Sequence, residues 1–536
     1  MRFRICAFVL LLSACRPSDP KNPNTWLKRL SDSDPRTRQQ AVQELRKLKA
    51  REAAPQVAQL LKDVMVREDA AVALRDIGGV SEVPALLDAV DTTVGAGSDT
   101  ATRAANRTNG RIAEALGEIG DARAGPTLLR LARSKDDYVR FEAVQALGAV
   151  KFKQAVAELS LLVDDPSAPP LLVKKAVVAL GQIGDASAIP ALQHALVLER
   201  QGVSLLPEAS YSLFQLGSAA VMPLIRMAKD EDPAYLKWAR ENNRAPAGTY
   251  AKAALVLGDL GDARAMPVLL EKLHYKDPDP LPGTARLLTN LVRQFAANAL
   301  GRLRAKEAAA PILALVQTRD PQDADLIGFC SEALVWIGDR GQAKELLKRA
   351  ESGDVQLRLV VAQAAVLLGD DSLLTPLEAL GARIRKEPPA QCAKEAEALQ
   401  IADPKEKPCD LVAGQFEALA VSLEAVRGCK DSAACWQDKL TYTQALLRAR
   451  SAYELGRLGA SEAVPALAQA AGDQDLLARV AAIRALEWLM PVPAAQPQLK
   501  AAAEKLSSQL AAEQGRVQFL KVNEELRRLQ ARMAHL

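Results

Sequence analysis

Apolar residues recur along this chain at three- and four-residue spacing in short blocks broken by polar turns, the pattern of amphipathic helices packed in pairs. The stretch from Asp137 to Val163 is representative. Asp136 and Asp137 stand where a helix N-cap belongs, Val139, Ala143, Val144 and Leu147 form one apolar stripe, and Val156, Leu159 and Leu162 or Val163 form a second after a short break. This predicts a helix hairpin. A similar segment closes the first helix and opens the second in other blocks: LGEIGDARAGP from Leu116, LGQIGDASAIP from Leu180, LGDLGDARAMP from Leu257 and LGRLGASEAVP from Leu455. Weaker copies begin at Leu45, Leu74, Leu147, Leu216, Leu300, Leu334, Leu368 and Leu486, which makes twelve. The glycine of each Gly-Asp pair suits a left-handed helix C-cap. Pro55, Pro84, Pro126, Pro190, Pro267 and Pro465, each ten residues after a key leucine, suit the first turn of a second helix, where no amide donor is needed. One hairpin cannot bury its own apolar face, so the copies must stack. The expected fold is all-α: a right-handed α-α superhelix, or solenoid, of about twelve helix hairpins. With helices about 8–10 Å apart, such a stack runs to the order of 100 Å.

Spacing between the key leucines ranges from 29 to 87 residues, and the excess is concentrated after second helices, at Asp91 to Gly110, Lys229 to Thr249, Lys276 to Leu288 and Arg385 to Asp438. Insertions on one rim of a repeat array often mark a binding face, although loops also lengthen at little cost. The first three carry Gly95, Ala96, Gly97, then Pro246, Ala247, Gly248, then Pro278, Pro280, Pro282, and are expected as exposed loops. The fourth is a cysteine-rich helical insertion. It holds Cys392, Cys409, Cys429 and Cys435, four of the chain's seven cysteines, around a helical stretch from Leu411 to Val426. Without Cys-x-x-Cys spacing or a nearby histidine, these read as disulfides rather than a zinc site. Proximity in sequence favours Cys429 with Cys435 and Cys392 with Cys409. Cys330, between Phe329 and Leu334, reads as a buried thiol. At the far end, Phe519, Val522, Leu526, Leu529, Met533 and Leu536 alternate at three- and four-residue spacing, a coiled-coil-like seam, which predicts a helix that caps the last repeat or associates with a partner or a second copy.

Composition agrees with closely packed helices. Hydrophobic residues are 49% of the chain but aromatics only 4%, so the interior is built from Ala, Leu and Val. Lys and Arg number 69 against 65 Asp and Glu, a balance without the basic footprint that nucleic acid requires. There is no phosphate loop, nucleophile elbow or zinc-protease motif. Catalysis has little to work with, and no cofactor or metal is expected. Polar residues on the second helices, Arg130, Arg133, Arg226, Lys229 and Lys272, are the candidates for contact with a partner.

The repeat resembles HEAT-type repeats, in particular the short HEAT-like class of phycobilisome lyases. Asp137-Tyr138-Val139-Arg140 leading to Ala146-Leu147-Gly148 carries the resemblance, and Asp354 to Arg358 repeats its opening. The resemblance implies a solenoid whose second helices line the concave side, with the Asp and Arg positions tying repeats together. One enzyme family of this kind, the deoxyhypusine hydroxylases, binds two irons through His-Glu pairs; here His194, His274 and His535 precede Ala195, Tyr275 and Leu536, so that ligand set is missing.

The first residues carry a second resemblance. Arg2 and Arg4 precede an apolar run from Ile5 to Leu12, followed by Leu12-Ser13-Ala14-Cys15. This resembles the lipobox of bacterial lipoproteins and implies cleavage before Cys15, acylation of that cysteine and anchoring to a membrane. A transmembrane helix needs about 20 apolar residues, and Arg16, Pro17 and Asp19 stop this run well short. Loss of Arg2 and Arg4 takes the net charge from +4 to +2. Arg16 is not the aspartate that marks inner-membrane retention in enterobacterial lipoproteins, which points to the outer membrane, facing the periplasm. The expected organisation is a signal peptide (1–14), acylated cysteine and tether (15–26), repeats (27–384), the cysteine-bearing insertion (385–438), further repeats (439–495) and a C-terminal helix (496–536). The expected role is a lipid-anchored scaffold of the cell envelope that binds protein partners and performs no reaction. An envelope enzyme centred on the insertion and a carrier of hydrophobic ligands are the alternatives.

Overall fold

All twelve leucine-bearing blocks form helices, from Pro35–Lys47 to Leu476–Leu489, and a second helix follows each. The computed structural model describes residues 19–91, 97, 99–512 and 520–533. The leader, Cys15, Gly95, Ala96, Phe519, His535 and Leu536 lie outside the described residues. The chain divides into two units, Met1–Ser212 and Leu213–Leu536, each an α-α superhelix of stacked hairpins.

Local chemistry sets the hairpin ends. Gly120 and Gly184 close their helices with φ of 75° and 74°, a backbone region open to glycine without a Cβ clash. The aspartates that follow turn the chain, Asp121 accepting from the Arg123 amide at 2.9 Å and Asp185 from Ser187 at 3.0 Å. Pro126 and Pro190 then occupy the first turn of the second helix. At the other end of a hairpin, Arg38 bonds Asp63 and the carbonyls of Asp32 and Ser33, and Arg448 does the same with Asp473, Tyr442 and Thr443. These Asp and Arg positions fasten the start of a first helix to the loop that leaves its second helix.

Stacking has its own rule. The glycine of a Leu-Gly pair inside a first helix, as at Gly117, Gly148, Gly181, Gly258, Gly301 and Gly456, lies where the next first helix crosses: a Cβ on Gly117 would stand 2.9 Å from the Ala146 Cβ, and one on Gly301 would stand 2.9 Å from the Ala333 Cα. Small residues on both sides let neighbouring first helices approach through their backbones.

Three insertions hold more helix than the loops expected of them, although Gly97, Pro278 and Pro280 do lie in exposed irregular chain. Asp99 caps a helix, Thr100–Ile119, that takes up half of the first insertion and buries Asn106, Thr108 and Asn109; Asn109 clamps the Asp91 backbone through bonds of 2.7 and 3.0 Å. Pro246, Ala247 and Gly248 form the first turn of Pro246–Leu260 rather than a loop, and Ala247 is fully buried. Lys276 to Leu281 stays an irregular loop in which Pro278 and Pro280 are exposed as expected, and Pro282 starts the helix Pro282–Arg302. In the first two the lengthened first helices bury apolar side chains, Ala105 and Ala247 among them, that a loop would leave in water. A two-stranded ribbon, Glu199–Arg200 with Val203–Ser204, was not foreshadowed by composition; Gln201 and Gly202, both at positive φ, form its two-residue turn.

The fourth insertion contains Pro389–Ala398, Pro408–Glu424 and Ala433–Lys439. Disulfides join Cys392 to Cys409 and Cys429 to Cys435, while Cys330 is a buried free thiol. Arg358 reaches into the insertion, 3.2 Å from Glu395 and 3.4 Å from Glu387. Beyond it the array resumes at Ala445–Leu458, whose Arg450 donates to the Val366 and Gly369 carbonyls at 2.6 and 2.7 Å and whose Arg457 donates to the Val335 carbonyl at 2.7 Å. Carbonyls at a helix C-terminus have no partner within the helix. Two arginines satisfy them here and carry the stack across the excursion.

Candidate protein-binding face

In the second unit the C-terminal helix Leu520–Met533 lies against first helices far from it in sequence. Val522, Leu526, Leu529 and Met533 are buried along one side. The adjoining side carries Glu525, Arg528 and Arg532 into a cage of charges that is almost wholly out of water. Asp259, fully buried, stands 2.9 Å from Arg302 and 3.1 Å from Arg528; Glu525 is bound by Arg302 and lies 3.3 Å from Arg484; Arg484 and Arg532 hold Glu487. Arg532 also donates to the Asp259 carbonyl. Burial alone would raise the Glu525 pKa, but the charges of Arg302 and Arg484 and the hydrogen bond from Arg302 win and hold it well below the usual carboxylate range. For Asp259 burial dominates over Arg302 and Arg528, and its pKa is raised. The helix therefore does more than cap the last repeat: it ties Pro246–Leu260 and Pro282–Arg302 to Leu476–Leu489.

An aromatic layer adjoins the cage. The guanidinium groups of Arg302 and Arg484 lie 5.8 and 4.6 Å from the Trp336 ring centre, and Trp336 Nε1 donates to the Tyr453 hydroxyl at 3.2 Å. Tyr453 also faces an open groove of about 490 Å³. Its walls are Ala324, Gly328, Ser331 and Val335 from Ala324–Ile337, and Leu357, Val360, Ala364 and Leu367 from Val355–Leu368. Each set repeats at helical spacing, so each is one face of a helix. Leu477 adds an apolar side chain, and Asp325, Glu332 and Asp354 add carboxylates. Cage and groove thus share the helix Leu476–Leu489, and Tyr453 of Ala445–Leu458 joins the groove to the aromatic layer.

The HEAT repeats family matches residues 23–106, 99–172, 131–204 and 439–514, and the PBS lyase HEAT-like repeat matches residues 292–318. The chain carries HEAT repeats. No curated protein matches it. Among solved structures it is similar to yeast importin-β (13% identity, TM-score 0.41, covering 91% of this chain and 69% of that one). It is also similar to Kap95 in a complex with Nup1 (12%, 0.43, 91% and 69%) and to human deoxyhypusine hydroxylase (20%, 0.21, 55% and 98%).

The residues singled out on the second helices of the HEAT hairpins are divided between the two units. Arg130 and Arg133 belong to the first unit. Arg130 is exposed and donates to Thr127; Arg133 is paired with Glu158 at 2.6 Å on the edge of a pocket of about 530 Å³ between neighbouring hairpins. In the second unit, Arg226 and Lys229 are exposed, with Lys229 3.8 Å from Glu231. Lys272 is only 7% exposed, its ammonium 4.1 Å from the Tyr250 ring centre and 3.2 Å from Glu271. It packs beside Tyr250 and Tyr275, whose rings meet edge to face at 5.5 Å, and so supports the hairpins instead of presenting a free cation. His194 bonds Asp164 at 2.9 Å. Among the described residues no group of three His, Cys, Asp or Glu is placed to hold a metal, and no helix is long and apolar enough to cross a membrane.

The cage and the groove were missed by sequence reasoning, which looked to second helices. A signal was present: Asp259, Arg302, Arg484 and Glu487 are charges inside otherwise apolar first-helix blocks, and buried charges are rare unless paired.

Proposed function

We propose that this chain is a protein-binding HEAT scaffold of a bacterial cell envelope, anchored to a membrane by lipid on Cys15. The observation that carries the binding role is the first-helix face of the second unit, which seats the amphipathic helix Leu520–Met533 at one end and leaves an apolar groove open beside it. An array that buries one helix in this way has the surface chemistry to receive another. The motif Leu12-Ser13-Ala14-Cys15 supports the anchor. The pairs Cys392–Cys409 and Cys429–Cys435 suit an oxidising compartment outside the inner membrane. Several acyl chains hold a protein where one does not, and the partner is then recruited at the membrane surface facing the periplasm.

Two measurements test this reading. Mass spectrometry of the protein from its native host should find Cys15 as the acylated first residue, and Cys15→Ser should move it from the membrane pellet to the soluble fraction. Crosslinking of intact cells followed by purification should recover a stoichiometric protein partner. An unmodified Cys15 sinks the anchor, and a chain that crosslinks to no protein at any position sinks the scaffold.

A further inference from the structure

Resting on the scaffold reading, we infer that the groove between Ala324–Ile337 and Val355–Leu368 receives an amphipathic partner helix, about three turns long, whose polar flanks carry Lys or Arg. The walls define the length. From Ala324 to Val335, and from Leu357 to Leu367, the lining positions span ten or eleven residues, a rise of about 16 Å. Two helix faces side by side with an apolar floor make a seat for a third helix. Val360 on one wall is 44% exposed, apolar surface that nothing in this unit covers.

Gly328 adds an independent observation. A glycine inside a helix costs about 1 kcal/mol against alanine, and glycines such as Gly117, Gly301 and Gly456 recover that through the close crossing of the next helix. At Gly328 a Cβ would meet nothing within 4 Å, so packing within the chain does not require it. It leaves the helix backbone open towards the groove, where an incoming helix can approach closely.

Charge selects the flanks. The carboxylates of Asp325, Glu332 and Asp354 line the groove, and neither Lys nor Arg is among its lining residues. The neighbouring seat shows the same pairing in use, with Arg528 and Arg532 of the resident helix directed at Asp259 and Glu487. An acidic or a nucleic-acid ligand would meet like charge.

The test uses the full chain with disulfides intact and two fluorescent helical peptides. Both carry leucines at i, i+4, i+7 and i+11, one with arginine and the other with glutamate on the flanks. Anisotropy should show saturable binding of the arginine peptide alone, weakened by added salt. Val360→Arg, Asp325→Lys and Gly328→Gln each change a groove position away from the core, and each should weaken binding by about tenfold or more without lowering the thermal midpoint. Equal binding of the glutamate peptide, no binding of the arginine peptide, or binding unchanged in all three variants overturns the inference. A photo-crosslinker at Val360 in cells should capture a partner segment with this basic amphipathic pattern. Capture of Leu520–Met533 from a second copy, or lipid retained in the groove by native mass spectrometry, overturns it too. Partners captured at Arg133 but none at Val360 would refute the groove while leaving the scaffold standing; no protein captured at either would remove both.

Discussion

Replacing Arg302 by methionine leaves the Asp259 and Glu525 carboxylates in the cage without the cation that bridges them. Arg302 is 7% exposed, with one guanidinium nitrogen 2.9 Å from Asp259 and hydrogen bonds to both Glu525 oxygens. Each attraction is worth about 4 kcal/mol at the effective dielectric of such sites, and relief of the arginine's desolvation returns several kcal/mol. Breaking a buried pair from one side costs about 3–5 kcal/mol net. Arg484 at 3.3 Å from Glu525 and Arg528 at 3.1 Å from Asp259 soften the loss, which places it near the lower end. Since Glu525 rides on Leu520–Met533, the loss falls on docking of that helix. About 3 kcal/mol corresponds to roughly a hundredfold fall in the protection of its amides. Hydrogen exchange read by mass spectrometry on peptides spanning 520–533 measures this directly. Glu525→Gln removes the other side of the pair, and the double variant should cost less than the sum of the two by about 1–3 kcal/mol. Protection of 520–533 within a factor of about three of the parent in Arg302→Met, or strict additivity in the double variant, would refute the cage as what holds the helix.

Other outcomes follow from the same structure. Gly456→Ala should lower the thermal midpoint, because its Cβ would stand 2.8 Å from Trp488 and 2.9 Å from the Ala485 Cα, an overpacking cost of about 1–3 kcal/mol, whereas Gly328→Ala should raise it; the opposite order would sink the crossing rule. For Asp323 and Asp473 burial raises the pKa, but the bonds from Arg286 and Arg448 outweigh it and hold both below the usual range, as Arg302 and Arg484 do for Glu525. Their contribution is complete above the unfolded carboxylate value of about 4 and is lost as pH falls through the depressed values, so the midpoint should be flat towards neutrality and drop in acid; a rise on acidification contradicts it. Asp259 runs the other way, its raised value making it most favourable when protonated. Cys392→Ser with Cys409→Ser opens a cross-link across 17 residues, worth about 3 kcal/mol, and should speed exchange in Pro389–Glu424 with little effect on the first unit; unchanged exchange there would show that the staple does not order the insertion.

The hairpins were legible because their signals are local. A left-handed glycine such as Gly120, a capping aspartate such as Asp121 and a first-turn proline such as Pro126 act within a few residues, and the leucine stripes act within one helix. Twelve repetitions of that grammar leave stacking as the one way to bury the stripes, and helices such as Pro408–Glu424 in the cysteine-bearing insertion follow from the same period. Where an apolar run met an insertion, local signals were not enough: Thr100–Ile119 and Pro246–Leu260 are helical deep into stretches whose glycines and prolines read as loop, since burial against neighbouring helices outweighed local preference.

The candidate face was beyond such signals. Arg302 meets Glu525 across 223 residues, Trp336 meets Tyr453 across 117, and Arg450 reaches the Val366 carbonyl across 84. A single charge in an apolar block announces that a partner is needed but not which one, because many acids and bases of the chain would satisfy it equally. Sequence alone determined the repeating hairpin and its closing turns, for their energetics lie within one hairpin and its neighbour. Only the tertiary structure decided which charges share a cage, that the C-terminal helix fills one seat on the first-helix face, and that the groove beside it stays open, because these depend on how helices distant in the chain converge.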